Sequence, residues 1–115
     1  MRLKSEVFAK ALLRIVAANG GTATLVRRGD EDAGAIFVRV NRLDGTSDLY
    51  GPAPAGEPSD DGDRRFSACF AAGSKPDPDV EAYLARQIEF DRDIWLIEIE
   101  DRRGRSFLDQ WIART

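Results

Sequence analysis

The chain has 115 residues, enough for one hydrophobic core without disulfide staples or a structural metal. Its composition, 43% hydrophobic and 32% charged, is that of an ordinary globular protein; one cysteine and no histidine exclude an intramolecular disulfide, a Ser-His-Asp triad, a Cys-His pair and any histidine metal site. A net charge of −3 opposes general binding to a phosphate backbone, although fourteen arginines against three lysines leave room for a local anion site.

The N-terminal "MRLKSEVFAKALLRIVAANG" has the basic-then-apolar outline of a signal peptide. However, Glu6, Lys10 and Arg14 interrupt it, and Val7, Phe8, Ala11, Leu12, Ile15 and Val16 recur at helical spacing. We read an amphipathic helix from Ser5 to Asn19, with Ser5 as N-cap and Gly20-Gly21 as the stop, in a cytoplasmic protein. No apolar run reaches the length of a membrane span, so no membrane association is expected.

"TATLVRRG" reads as a strand. "AIFVRVNR" alternates most clearly, with Ile36, Val38 and Val40 on one face and Phe37, Arg39 and Asn41 on the other. Asp44-Gly45 signals a hairpin into a short strand through Leu49 and Tyr50. Residues 51–63, rich in proline and glycine, are expected to form a mobile surface loop within a single 1–115 domain. "RRFSACF" follows as a strand. Asp77 as cap, Pro78 at the first helical position, and Asp79 and Glu81 at the positive helix end then mark a helix start, and Val80, Tyr83, Leu84, Gln87 and Ile88 carry that helix to about Phe90. "DIWLIEIE" alternates again, with Trp95, Ile97 and Ile99 opposite Leu96, Glu98 and Glu100. After the turn "DRRG", the segment "RSFL" is a short strand or the start of a terminal helical turn, and the spacing leaves both open. Together these elements predict an α+β fold: a mainly antiparallel sheet of about five strands with two helices packed on one face.

Several residues are candidates for function. Glu98 and Glu100 project from one strand face about 7 Å apart, a separation at which paired carboxylates can act on a glycosidic bond if burial separates their pKa values. The plainer reading is a wet strand face whose glutamates meet arginines such as Arg39 and Arg65. Arg27-Arg28, Arg64-Arg65 and Arg102-Arg103 with Arg105 would form an anion site if their turns converged, but no glycine-rich phosphate loop accompanies them. Cys69 reads as a passive, half-buried thiol. Trp95 belongs in the core. Trp111, with Phe107, Leu108 and Ile112, must dock either on the chain's own sheet or on a second copy across a two-fold axis.

The stretches "RLKSEVFAKALLRI", "GAIFVRVNRLDG" and "VEAYLARQIEFDRDIWLIEIEDRRGRSFL" resemble an uncharacterised bacterial family, domain of unknown function 1491, over nearly the whole chain. The resemblance implies small, single-domain cytoplasmic proteins with no assigned activity, and it supplies no catalytic residues to carry over.

We therefore read a protein of unknown function whose leading description is a non-enzymatic binding or protein-interaction module. It is expected to self-associate, as a homodimer through Phe107, Leu108, Trp111 and Ile112, or to bind an unidentified protein partner. The alternative is a small-ligand binder or enzyme using Arg39, Tyr50, Arg65, Glu98 and Glu100 around an anionic or sugar-like ligand. A second alternative is RNA binding through the arginine-rich turns, which the net charge and the lack of interleaved aromatics oppose. No catalytic residue, metal ligand set or cofactor is implied.

Overall fold

The computed structural model describes residues 3–54 and 64–113. Helix α1 (Ser5–Ala18) buries Phe8, Ala9, Leu12 and Val16 along one stripe. It stops at Gly20, whose left-handed backbone (φ +78°) lets the Gly20 and Gly21 amides donate to the Ala17 and Val16 carbonyls. Ser5 is not the N-cap that the sequence suggests. Lys4 holds that position without a side-chain cap, and the Ser5 and Glu6 amides donate to the carbonyls of Asp32 and Glu31. Loop carbonyls thus satisfy the first helical donors and free the Ser5 hydroxyl. That hydroxyl is buried, donating to the Gly34 carbonyl at 2.6 Å and accepting from Arg64 Nη2 at 2.8 Å.

Six strands form one sheet: β1 (Thr22–Arg27), β2 (Ile36–Asn41), β3 (Thr46–Pro52), β4 (Phe66–Ala68), β5 (Lys75–Pro76) and β6 (Trp95–Glu100). Their order is β1-β6-β2-β3-β4, with β5 also pairing β3. All neighbours are antiparallel except β2 and β6, which run parallel from Ile36↔Trp95 to Asn41↔Glu100. The parallel pair arises because β6 enters after the long excursion through helix α2 (Asp77–Phe90) and slots between β1 and β2. The α+β class and the mainly antiparallel sheet are as expected, with one strand more than the five anticipated.

The helices do not share a face. Ile36, Val38, Val40, Trp95, Ile97 and Ile99 point toward α1, where Phe66 and Leu108 complete the core. Their alternating neighbours Phe37, Leu49 and Leu96, with Ile94, pack against Val80 and Leu84 of α2 on the opposite side. The expectation of a single helical face failed because the second face changes character along its length. It is apolar at Phe37 and Leu96 and polar only from Arg39 and Glu98 onward, so the alternation made the whole face look wet.

Two further expectations fall on the chain's irregular parts. "RSFL" is not a strand: the chain turns there and ends in one 3₁₀ turn, Asp109–Trp111, followed by a parallel bridge from Ile112 to Phe66. Of the loop expected over 51–63, Gly51 and Pro52 close β3, and residues 55–63 lie outside the described residues.

Candidate functional site

Arg39, predicted on a solvated face, is a buried clamp. Its Nε donates to Ser47 Oγ at 3.1 Å, and its guanidinium lies 3.1 Å from Asp77, 3.6 Å from Glu81 and 3.7 Å from Glu98. Ser47 Oγ in turn donates to Asp77 Oδ1 at 2.7 Å, and the Asp77 amide donates to the Gly45 carbonyl. Asp77 is therefore the first residue of α2 rather than its cap, and its carboxylate ties the helix start to β2 and β3. One guanidinium facing three carboxylates leaves this cluster acidic, a poor receptor for an anion.

The other residues of the predicted polar site scatter. Glu98 joins Arg39, while Glu100 stands exposed two residues along the same face. Tyr50 pairs with Val38 and so faces α1, on the opposite side of the sheet from Arg39. Arg65 flanks β4, its Nη1 donating to the Arg64 carbonyl. The three arginine turns do not meet at one place. Arg28 and Arg64 both reach the first turn of α1, at Glu6 and Ser5, whereas Arg105 folds back on Asp101 beyond the far end of β6.

The candidate interface residues turn inward. Leu108 is fully buried in the α1-side core, Trp111 meets the Phe8 ring edge-on at 4.9 Å, and Ile112 completes the bridge to β4. Of the two dockings open to Trp111, the chain's own core is the one observed. Cys69 packs on the α2 side near Tyr83, and burial pushes its thiol up to about 11, which keeps it protonated at neutral pH.

Two features remain that sequence reasoning did not single out. The first is a groove of about 560 Å³ on the α1 side, walled by Ile15 of α1, Asn19 just after it, Tyr50 of β3, and residues 104–107, 109 and 110. Arg105 forms its rim: Nε and Nη2 donate to Asp101 Oδ1 at 3.1 and 2.7 Å, its amide donates to Asp101 Oδ2, and its guanidinium lies 5.3 Å from the Phe107 ring. The Arg105 hydrogen bonds hold the Asp101 carboxyl below the usual aspartate range. Behind Gly104, Arg42 donates to Asp48 at 3.2 and 2.8 Å; a Cβ on that glycine would lie 2.4 Å from the Arg42 guanidinium carbon, so only glycine leaves the arginine its place. Burial, with the Asp48 carboxylate nearby, raises the Tyr50 hydroxyl above its ordinary value. Phe107 has a left-handed backbone (φ +61°), which neither periodicity nor composition reveals.

The second feature is the outer edge of β1. No strand among the described residues pairs with it, and Leu25 and Val26 are 37% and 55% exposed. At the opposite end of the sheet the edge is covered, since Ile112 bridges Phe66, the Ala113 amide donates to the Phe66 carbonyl at 2.8 Å, and β5 lies on β3.

Among the described residues no group of three or more His, Cys, Asp or Glu side chains could hold a metal, and no helix is long and apolar enough to cross a membrane. Fold and surface together define a small α+β domain: an open mixed sheet between two helices, with an uncovered edge at β1 and a groove on the α1 side. The chain belongs to the family described as "Protein of unknown function (DUF1491)", whose family model matches residues 3–109. It is similar to a crystal structure of a DUF1491 family protein from Caulobacter crescentus CB15, with 36% identity, 99% of this chain and 100% of that one covered, and a TM-score of 0.79. A solution structure of a protein from A. tumefaciens shares 45% identity over 87% of this chain and 86% of that one, at a TM-score of 0.73. An NMR structure of a DUF1491 family protein from Caulobacter crescentus CB15 shares 37% identity over 99% of both chains, at 0.78. No curated protein matches the chain. The family carries no assigned activity.

Proposed function

We propose that the chain is a single-domain, non-enzymatic interaction module of the bacterial cytoplasm that self-associates through the edge of β1. The observation that carries this reading is the uncovered β1 edge with Leu25 and Val26 exposed beside it. A bare strand edge offers unpaired amides and carbonyls to another strand, and soluble proteins ordinarily shield it. Because the other edge of the sheet is closed by β5 and residues 112–113, each chain offers one edge. Antiparallel β1–β1 pairing across a two-fold axis consumes both edges, so assembly stops at the dimer. Arg27 Nη2 donates to the Arg92 carbonyl, tying the end of β1 to the segment just after α2, whose last residue, Phe90, is 91% exposed.

The bulge between Leu25 and Arg27 confines regular pairing to the first part of the strand, so we expect a weak dimer with a small interface. The free thiol of Cys69 fits a reducing compartment, and the similar structures come from C. crescentus and A. tumefaciens, which supports the bacterial and cytoplasmic parts of the reading. This proposal moves the interface away from Phe107, Leu108, Trp111 and Ile112, which are engaged within the chain.

Sedimentation equilibrium on wild type and Val26→Lys tests it. A wild-type monomer–dimer equilibrium that shifts to monomer in Val26→Lys, with an unchanged melting temperature, is the expected result. A wild type that stays monomeric up to millimolar concentration refutes self-association. A monomer that captures an extended peptide on β1 assigns the edge to a different protein instead.

A further inference from the structure

We propose that the groove between the end of α1, Tyr50 and residues 104–110 is a binding site for an uncharged, polyhydroxylated ligand of mono- to disaccharide size. Its volume of about 560 Å³ falls within the range of small-molecule sites. Charge decides the ligand class. Arg105 is neutralised by Asp101 and Arg42 by Asp48, while Asp109 contributes a further carboxylate, so no cation is left over to hold a phosphate or carboxylate. A cationic ligand would find the Phe107 ring already taken by the Arg105 guanidinium and would be left with the exposed Asp109 carboxylate alone.

What the groove does offer is a mixture of donors and acceptors, one of them the Asp109 carboxylate, which accepts from hydroxyl groups. No hydrogen bond to another described residue engages the Tyr50 hydroxyl, the Asp109 carboxylate or the Gln110 amide. Asn19 gives its Nδ2 to the Ile15 carbonyl at 2.7 Å and keeps its Oδ1 as an acceptor. Hydroxyl groups donate and accept at once, so they match such a set where a purely acidic or basic ligand does not. Ile15 and the Phe107 ring supply apolar surface for the C–H face of a pyranose.

Phe107 is also held in place. A bulky side chain on a left-handed backbone persists only where its surroundings fix it. Gly21 leaves the ring its room, since a Cβ there would lie 3.0 Å from Phe107 Cζ. The wall against which a ligand would rest is therefore preformed.

The test is a ¹H–¹⁵N correlation titration of the full chain with uncharged sugars (glucose, N-acetylglucosamine, maltose, trehalose), and with glucose 6-phosphate and spermidine as charged probes. The expected result is a saturable shift confined to the amides of Asn19, Tyr50 and residues 104–110 with an uncharged sugar. The exposed double variant Asp109→Ala/Gln110→Ala should weaken it at least tenfold without moving the melting temperature. Absence of any such shift across the sugars overturns the site, and tighter binding of either charged probe in the groove overturns the ligand class. Val26→Lys, which addresses the β1 edge, should leave the titration unchanged, so the two proposals fail separately.

Discussion

Replacing Arg39 by methionine separates a structural clamp from a ligand anchor. Methionine preserves most of the aliphatic volume under α2, so what is lost is the guanidinium. That group makes two close contacts, with Ser47 at 3.1 Å and Asp77 at 3.1 Å, and lies farther from Glu81 and Glu98. A hydrogen bond involving a charged partner contributes about 1.5–3 kcal/mol when buried. The Arg39 side chain is only 10% exposed, but that of Asp77 is 27% exposed, so water screens part of the contact. The loss should therefore be about 2–4 kcal/mol, and it leaves Asp77 and Glu98 facing each other without a cation. Against a total stability of about 5–15 kcal/mol this is easily seen in urea unfolding at constant m-value. A double-mutant cycle with Asp77→Asn should show coupling above about 0.5 kcal/mol, because the two residues share one network. An Arg39→Met variant within about 0.5 kcal/mol of wild type would refute the clamp.

Four other substitutions or conditions follow from the same coordinates. Leu108→Ala, at a fully buried position, should cost about 2–5 kcal/mol in chemical denaturation; a loss below about 1 kcal/mol would mean the C-terminal segment is not part of the core. Gly21→Ala places a Cβ 2.7 Å from Val16 Cγ1 and 3.0 Å from the Phe107 ring, so it should destabilise by about 1–3 kcal/mol, and an unchanged thermal melt would show the ring free to move. Cys69, with its thiol at about 11, should react with a disulfide reagent about tenfold faster for each unit of rising pH up to that value, and rapid pH-independent labelling at neutrality would contradict its burial. Asp101, whose folded value is depressed below the ordinary 3.8, contributes stability that is in place above that pH and lost as pH falls through the lower folded value. Asp101→Asn should flatten this part of the acid unfolding profile, and identical profiles would show the Arg105 contact to be inconsequential.

Much of the fold is legible in the residues themselves. The alternation in 36–41 and 95–100, the Asp44-Gly45 hairpin and the Gly20-Gly21 stop each rest on local rules and stand where those rules put them, while the helix signalled at Asp77-Pro78 begins one residue earlier, with Asp77 inside it. What depends on distant partners was not legible. The Arg39–Glu98 pair was anticipated from the alternation, but nothing near Arg39 in sequence announces that Asp77 and Glu81 of α2 will close over it, so it read as an outward arginine. Phe37 and Leu96 share a face with Arg39 and Glu98, which hid the second apolar layer and with it the place of α2. The parallel β2–β6 pair is likewise a property of topology, since an inserted strand leaves the same alternation as a hairpin partner. In the candidate site, Tyr50 was recognised, but its partners were not: Asn19 read as a helix end and "DRRGR" as a wet turn. The groove exists only because the chain after Gly104 folds back over Tyr50.

The two proposed surfaces lie at different parts of the sheet. The groove is built beside β3, and the open edge is β1, with β6 and β2 between them. Helix α1 nevertheless links them: Ile15 and, just after the helix, Asn19 wall the groove, and the chain passes directly through Gly20-Gly21 into Thr22 of β1. Gly21 touches Phe107 on one side and precedes the edge strand on the other. A ligand that only fills the existing groove has no differential affinity for monomer and dimer and leaves association unchanged. One that displaces Phe107 must press on Gly21 and the start of β1, and would then alter dimerisation by the same factor by which dimerisation alters its own binding. The preformed wall favours the first case, in which the proposed binding at the groove and the proposed pairing at the edge would not influence each other.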